Sequence, residues 1–174
     1  DGGVIGVQAK KDFQYTVCAN DTTWENTFLS IRGFELSADG TTAATLTQLE
    51  QLQEADIFGF NKGTWGVVVN NVPWENMYLN TWDLAVSEDG SCVAAGVRLG
   101  QLSYKIVEND VEWPDTFSLT WEPAYRPGTN SLVAPVKVKD GFTLFEAKQQ
   151  IWNSRFLQAW KPAFSPDGKR TGAI

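Results

Sequence analysis

Two glutamates follow tryptophan in the same tripeptide: Glu25 and Glu75 each sit in Trp-Glu-Asn, at 24–26 and 74–76. Paired carboxylates run glycoside hydrolysis, one as acid and the other as base or nucleophile. That chemistry needs both groups to face one substrate. These two recur because a longer pattern recurs, so they are expected to point to different places. The 174 residues contain no histidine, one methionine and two cysteines, Cys18 and Cys92. Imidazole-based zinc sites, His-driven acid–base catalysis, and haem or iron–sulfur ligation by this chain alone are thereby removed. Five arginines (32, 98, 126, 155 and 170) are scattered, no Gly-rich loop opens a helix, and no run of alternating acids suits calcium. The expectation is a non-catalytic chain with no cofactor.

The residues around those glutamates form a repeat. Trp24, Trp74, Trp113 and Trp152 lie 50, 39 and 39 residues apart. Four positions after each comes Phe28, Tyr78, Phe117 or Phe156, and eight after comes Arg32, Trp82, Trp121 or Trp160. Sixteen after stands Gly40, Gly90, Thr129 or Gly168, with Asp39, Asp89 and Asp167 before the three glycines. Asp-Gly supplies the positive φ that hairpin turns need, and Arg-Pro-Gly-Thr replaces it in the third copy. The Asp-box turn of sialidases needs a residue between Asp and Gly, so these turns do not match it. Asn20-Asp21, Asn70-Asn71 and Asn109-Asp110 mark a second turn, with Gln149-Gln150 standing in its place in the last copy.

Between the turns, TWGVVVNN and YKIVEND alternate apolar and polar residues, the period-two signature of strands. In 81–118 this predicts strands at 83–87, 91–99, 103–108 and 112–119. Four short antiparallel strands every forty-odd residues describe one propeller blade, which must stack on its neighbours to bury its aromatics. The fold class expected is therefore all-β: a β-propeller of four-stranded antiparallel blades, four blade-repeats in one unit spanning 1–174. The blades fall at 32–79, 81–118, 120–157 and a composite of 160–174 with 3–29. Trp24, Trp74, Trp82, Trp113, Trp121, Trp152 and Trp160 become inter-blade packing, and truncating Trp121 is expected to cost about 3–5 kcal/mol. Both 3–7 and 169–174 claim the same strand of the composite blade. Three arrangements are open: a window from a longer array, a homodimer completing a larger ring, or one free terminus.

The first step exceeds the others by 11 residues, which fall within TQLEQLQEADIFGFNKG, 47–63. Loops longer than their equivalents tend to carry function. Ile57, Phe58 and Phe60 lie there among acidic residues, either packed along an extended hairpin or forming a docking lip for a protein partner. Arg32, which replaces the second Trp of the same unit, is grouped with that lip. Net charge is −7 without a Lys/Arg cluster, which argues against nucleic acid and anionic lipid. No apolar run is long enough to span a membrane, so no direct insertion is expected.

The units resemble the WD-repeat and TolB-like propeller families, best at FSPDG (164–168) and VSEDGSCVAAGV (86–97). A more particular pattern, Val-x-Asn-x3-Trp-x3-Phe/Tyr-x3-Trp-x5-Ser-x-Asp-Gly, is shown by VVNNVPWENMYLNTWDLAVSEDG (68–90). It resembles the tryptophan-rich D subunit of the Tmc transmembrane electron-transfer complex of sulfate-reducing bacteria. That resemblance implies a cofactor-free scaffold subunit on the cytoplasmic side, peripheral to the membrane. Its partners would be redox subunits such as cytochromes or iron–sulfur proteins. The alternative is a propeller binding a ligand or substrate at its central channel, completed by residues outside 1–174.

Overall fold

A computed structural model describes residues 5–52 and 56–173. Residues 1–4, 53–55 and 174, which include ends of the composite blade and three positions of the 47–63 insertion, lie outside the described residues. β1 (Gly6–Lys11), β2 (Gln14–Ala19) and β3 (Thr22–Thr23) form a first antiparallel sheet. β4 (Ile31–Leu36), β5 (Ala43–Gln48), β6 (Trp65–Val69) and β7 (Val72–Pro73) form the second, with α1 (Ile57–Lys62) between β5 and β6. β8 (Asn80–Val86), β9 (Val93–Gly100), β10 (Ser103–Glu108) and β11 (Val111–Glu112) form the third. The fourth contains β12 (Leu119–Thr120), β13 (Ala124–Tyr125), β14 (Leu132–Val138), β15 (Gly141–Glu146) and β16 (Gln149–Gln150). β17 (Ala163–Phe164) and β18 (Thr171–Gly172) make a hairpin sheet of their own, separate from β1–β3. Among the described residues no helix is long and apolar enough to cross a membrane.

Local chemistry explains why each sheet folds as it does. In the Ser-x-Asp-Gly turns, Ser37, Ser87 and Ser165 each donate a hydroxyl to Asp39, Asp89 or Asp167. Each carboxylate also accepts a backbone N–H two residues on, from Thr41, Ser91 or Lys169. These donors hold the three carboxyls below the ordinary Asp range, the serine hydroxyl leading at Asp39 and Asp167 and the Ser91 amide at Asp89. Gly40, Gly90 and Gly168 take φ of 71°, 70° and 68°. In the third copy Thr129 donates its N–H to the Arg126 carbonyl, as Gly40 does to Ser37. There the positive φ, 68°, moves one residue earlier to Gly128, because proline at 127 presets a turn with its left-handed residue next.

The second turns are left-handed pairs at Asn20-Asp21, Asn70-Asn71 and Asn109-Asp110. In the fourth sheet the pair is Ala147-Lys148, and Gln149-Gln150 is strand β16 rather than the turn. This one-residue shift has a further effect. The N–H groups of Trp24, Trp74 and Trp113 bond Val17, Val67 and Ile106, and it is Ile151, not Trp152, that makes the equivalent bond to Leu144. The outer strand is also shorter than 112–119. After β11 the chain leaves the ladder at Trp113-Pro114 and returns only as a bridge between Phe117 and Tyr104.

The core lies between the sheets. Trp113 is fully buried and packs with Leu132, Ala134, Val136 and Phe145 of the next sheet, and Trp24 packs with Ala43 and Val68 in the same way. Trp74 packs at two of these clusters while remaining half-buried. Burial of whole aromatics makes these junctions the main source of stability. The rims are stitched by hydrogen bonds. Asn26 donates to Asn71 and Asn76 to Asp110, so the asparagine of each Trp-Glu-Asn clips one sheet to the turn of the next.

Candidate functional site

The innermost strands build the site through a repeated irregularity. Arg32 faces Leu46 while Phe34 faces Thr45, and Trp82 faces Gly96 while Ala85 faces Ala94. Each strand thus carries one extra residue, a β-bulge that bends it and re-aims side chains. Gly33 (φ 64°) and Asp83 (φ 54°) occupy the two bulges in left-handed conformation. Glycine does so freely, and Asp is among the few other residues that tolerate it. The fourth sheet has the same extra residue between β12 and β13, where Trp121, Glu122 and Pro123 interrupt the strand. Lys161, just before β17, follows Trp160 as Asp83 follows Trp82 and Glu122 follows Trp121.

These positions converge. A cleft of about 380 Å³ is lined by Arg32, Glu35, Asp83, Glu122 and Lys161, with apolar walls from Phe34, Leu46, Trp82, Leu84 and Pro123. A second cavity shares Glu35, Leu84, Pro123 and Lys161 with it and extends toward Ser87 and Pro127, so the two follow the inner strands toward the Asp-Gly turns. Burial raises the Asp83 carboxyl to about 6; neighbouring Glu122 adds to the rise and Lys161 opposes it. Burial also raises Glu35, again opposed by Lys161. Glu35, Asp83 and Glu122 have no hydrogen-bond donor or ion-pair partner within reach among the described residues. Thr81 lines the same cleft, is 1% exposed, and its Oγ1 has no hydrogen-bond partner. Its counterpart Thr120 is also without a partner but is packed beside Gly96 rather than lining the cleft.

Of the second members of the aromatic sets, Arg32 and Trp82 line this cleft. Arg32 lies over the Trp65 ring, 3.9 Å from its centre, and donates to Asn80 Oδ1 at 3.1 Å. Trp82 meets Tyr104 edge-on at 5.3 Å, and Trp121 meets Trp160 edge-on at 5.2 Å. Trp121 is half-buried rather than enclosed, because its neighbour Trp160 is itself 43% exposed. Trp152 is half-buried against Phe156.

The insertion folds as a helix, not an extended hairpin. Asp56 caps it by accepting the Gly59 N–H at 2.8 Å, and Gly63 at φ 92° ends it. Gly63 is required there: a Cβ would collide with the Tyr78 backbone carbonyl. Ile57, Phe58 and Phe60 are 67%, 90% and 63% exposed, and no residue of α1 is buried. No hydrogen bond or ion pair joins Arg32 to α1 among the described residues; Arg32 belongs to the cleft. The two features share a face, however. Arg32 pairs with Leu46 and Gln48 with Trp65, so the insertion leaves and re-enters the blade at the edge where Arg32 stands.

Glu25 and Glu75 lie at successive sheet junctions beside Asn71 and Asp110 and do not line the cleft. Cys18 and Cys92 are free, half-buried thiols. The cleft carboxylates went unread because a strict period of two assigns no common face to Asp83, Glu122 and Lys161. The available signal was a charged residue directly after the second Trp in three copies.

Successive antiparallel sheets, packed one on the next through aromatic junctions, define a β-propeller-like fold. Among solved structures the chain is similar to TolB from Acinetobacter baumannii, at 13% identity, covering 92% of this chain and 42% of that one, with a TM-score of 0.53. The chain thus spans less than half the length of that structure. No protein-family model matches it, and no curated protein sequence does.

Proposed function

We propose that this chain is a non-catalytic interaction platform that docks a protein partner on the face from which α1 projects. The observation that carries this reading is the capped helix presenting Ile57, Phe58 and Phe60 to solvent on a rigid blade edge. Exposed aromatics grouped this way are the composition of an interface anchor. The acidic balance, −7 overall, favours a protein partner over nucleic acid. The tryptophan pattern of 68–90 supports a finer setting: a subunit of a bacterial membrane-associated electron-transfer complex, held on the cytoplasmic side by cytochrome or iron–sulfur subunits. In that setting the chain contributes shape and contacts, and its partners contribute the redox centres.

The test is a Phe58→Ala/Phe60→Ala double variant, purified in mild detergent from its native membranes. The variant is expected to lose co-purifying subunits while its melting temperature stays unchanged, since neither ring is buried. Retention of the same subunits would refute docking through α1. A wild-type protein that purifies alone would remove the redox-complex setting.

A further inference from the structure

The net charge of −7 is not spread evenly over the molecule. In an antiparallel sheet the Asp-Gly turn and the left-handed Asn/Asp pair lie at one end, and the turn between the two middle strands lies at the other. Hydrogen bonds keep successive sheets aligned: Asn20 donates to the Gly40 carbonyl, Thr42 to that of Gly90 and Arg126 to that of Gly168. The Asp-Gly turns therefore share one rim, and the opposite rim gathers the β1–β2 tip, α1, the β9–β10 tip and the β14–β15 tip.

The two rims differ in chemistry. The first carries Asp21, Asp39, Glu88, Asp89, Asp110 and Asp167, with Lys148, Lys169 and Arg170 as its cations beside the Arg126–Glu146 pair. On the second, exposed Lys10, Lys11, Lys62, Arg98, Lys137 and Lys139 outnumber Asp12, Glu50, Asp56 and Asp140 among the described residues. The same rim holds the two most exposed aromatic rings among the described residues, Phe13 at 92% and Phe58 at 90%, together with Leu102 at 69%. Phe13 and Leu102 are held at φ 68° and 51°. Bulky side chains disfavour that left-handed backbone, and neither residue gains burial in return. In the fourth sheet the equivalent turn is Lys139-Asp140, so the apolar tips are confined to three neighbouring sheets.

Single apolar tips set among cations suit a fluid, negatively charged surface. A bilayer interface receives each tip independently, whereas a protein partner needs a matching hollow for every one. Lysines and arginines near anionic headgroups add attraction, and the apolar side chains bury at the headgroup boundary. The acidic rim does not cancel this. It stands a six-residue strand away, about 20 Å, against a Debye length of roughly 8 Å at physiological salt. We infer that the second rim docks on an anionic lipid bilayer, with Phe13 and Leu102 entering the interface on either side of α1. Lys10, Lys11, Lys62 and Lys139 meet the headgroups, and the acidic rim faces away. This goes beyond docking through α1 and does not rest on it.

The experiment is co-sedimentation of the purified chain with two kinds of vesicle: phosphatidylcholine alone, and phosphatidylcholine with phosphatidylglycerol in equal parts. Binding to the mixed vesicles only, weakening as salt is raised, is expected. Phe13→Ser/Leu102→Ser should lower the partition about tenfold or more, the effect of withdrawing a large apolar side chain from a buried position. Lys10→Glu/Lys11→Glu should lower it by a similar factor. Val72→Ser, on the acidic rim, should leave it unchanged. None of these should lower the melting temperature, since every altered side chain is exposed. No sedimentation with mixed vesicles, equal binding to both kinds, or wild-type binding by either double variant would overturn the inference. Loss of co-purifying subunits in Phe13→Ser/Leu102→Ser, with no vesicle binding by the wild type, would assign the rim to a protein instead. The assay holds only chain and lipid, and both double variants leave α1 intact, so its outcome is separate from capture through Phe58 and Phe60.

Discussion

Asp83 combines a left-handed backbone, a half-buried carboxyl and no hydrogen-bond donor within reach of that carboxyl. Its raised value, about 6 against an ordinary 3.8, means the folded protein binds this proton more tightly than the unfolded chain does. The resulting stabilisation is full below pH 4 and is lost as pH rises through 6. Asp83→Asn removes the dependence. It should match the wild type in stability near pH 4 and exceed it above pH 7 by about 1–2 kcal/mol, after discounting for solvent screening. Thermal unfolding across that pH range checks this, and a difference unchanged with pH would contradict it. The side chains sharing the field are Glu35, Glu122, Lys161 and Arg32, none of which the substitution alters. At this scale the sequence was only partly legible. The aromatic positions could be counted, but the bulges that turn Asp83, Glu122 and Lys161 into one cleft break the alternation by which strands are read. Their backbone geometry has no periodic signature.

At the scale of elements, α1 is the case where local chemistry is strong and packing is absent. Six residues are too few for a helix to persist by propensity alone, so the Asp56 cap and the Gly63 stop are what define it. Asp56→Ala should cost the helix about 1 kcal/mol locally, while Asp56→Asn retains the cap. Partner capture is therefore expected to weaken in the first variant and survive in the second, with melting temperature unmoved in both. Equal capture by the two would show that helix order is irrelevant to docking. The insertion itself was visible in the sequence as eleven surplus residues, whereas its helical form was not, because IFGF satisfies strand and helix preferences alike. The register shift at Ala147-Lys148 was hidden for a related reason. Trp152 keeps the repeat spacing in sequence, yet the turn before it closes one residue early, so Ile151 takes the tryptophan's hydrogen-bonding slot and the surplus residue falls between Ile151 and Phe156.

The molecule as a whole is a stack of units joined through aromatic junctions and hydrogen-bonded rims. In such arrays stability resides in nearest-neighbour interfaces as much as in the units. Trp113 fills the junction between the third and fourth sheets and is fully buried, so Trp113→Ala should cost roughly 3–5 kcal/mol. Trp160, at 43% exposure, should cost about 1 kcal/mol or less. Denaturant titration of the two variants distinguishes these values, and equal losses would mean that the junctions do not dominate. The antiparallel order of the second and third sheets, the turns at Asn20-Asp21, Asn70-Asn71 and Asn109-Asp110, and the stacking of Trp24 and Trp113 follow directly from the spacing of the repeat. The depth of Trp121 does not, because burial depends on what the adjoining unit places against it.

One feature at the first sheet bears on how the chain behaves in concentrated solution. Among the described residues β1 pairs with β2 along one side and with no strand along the other. Its exposed Val7 stands on the same strand as Lys10 and Lys11. Charge at such an edge repels a second copy before its ladder can form, which is how many β proteins avoid coalescing into fibres. Wherever that side of β1 meets solvent, Lys10 and Lys11 would hinder a second strand from adding to it, a protective task separate from the packing of the aromatic core.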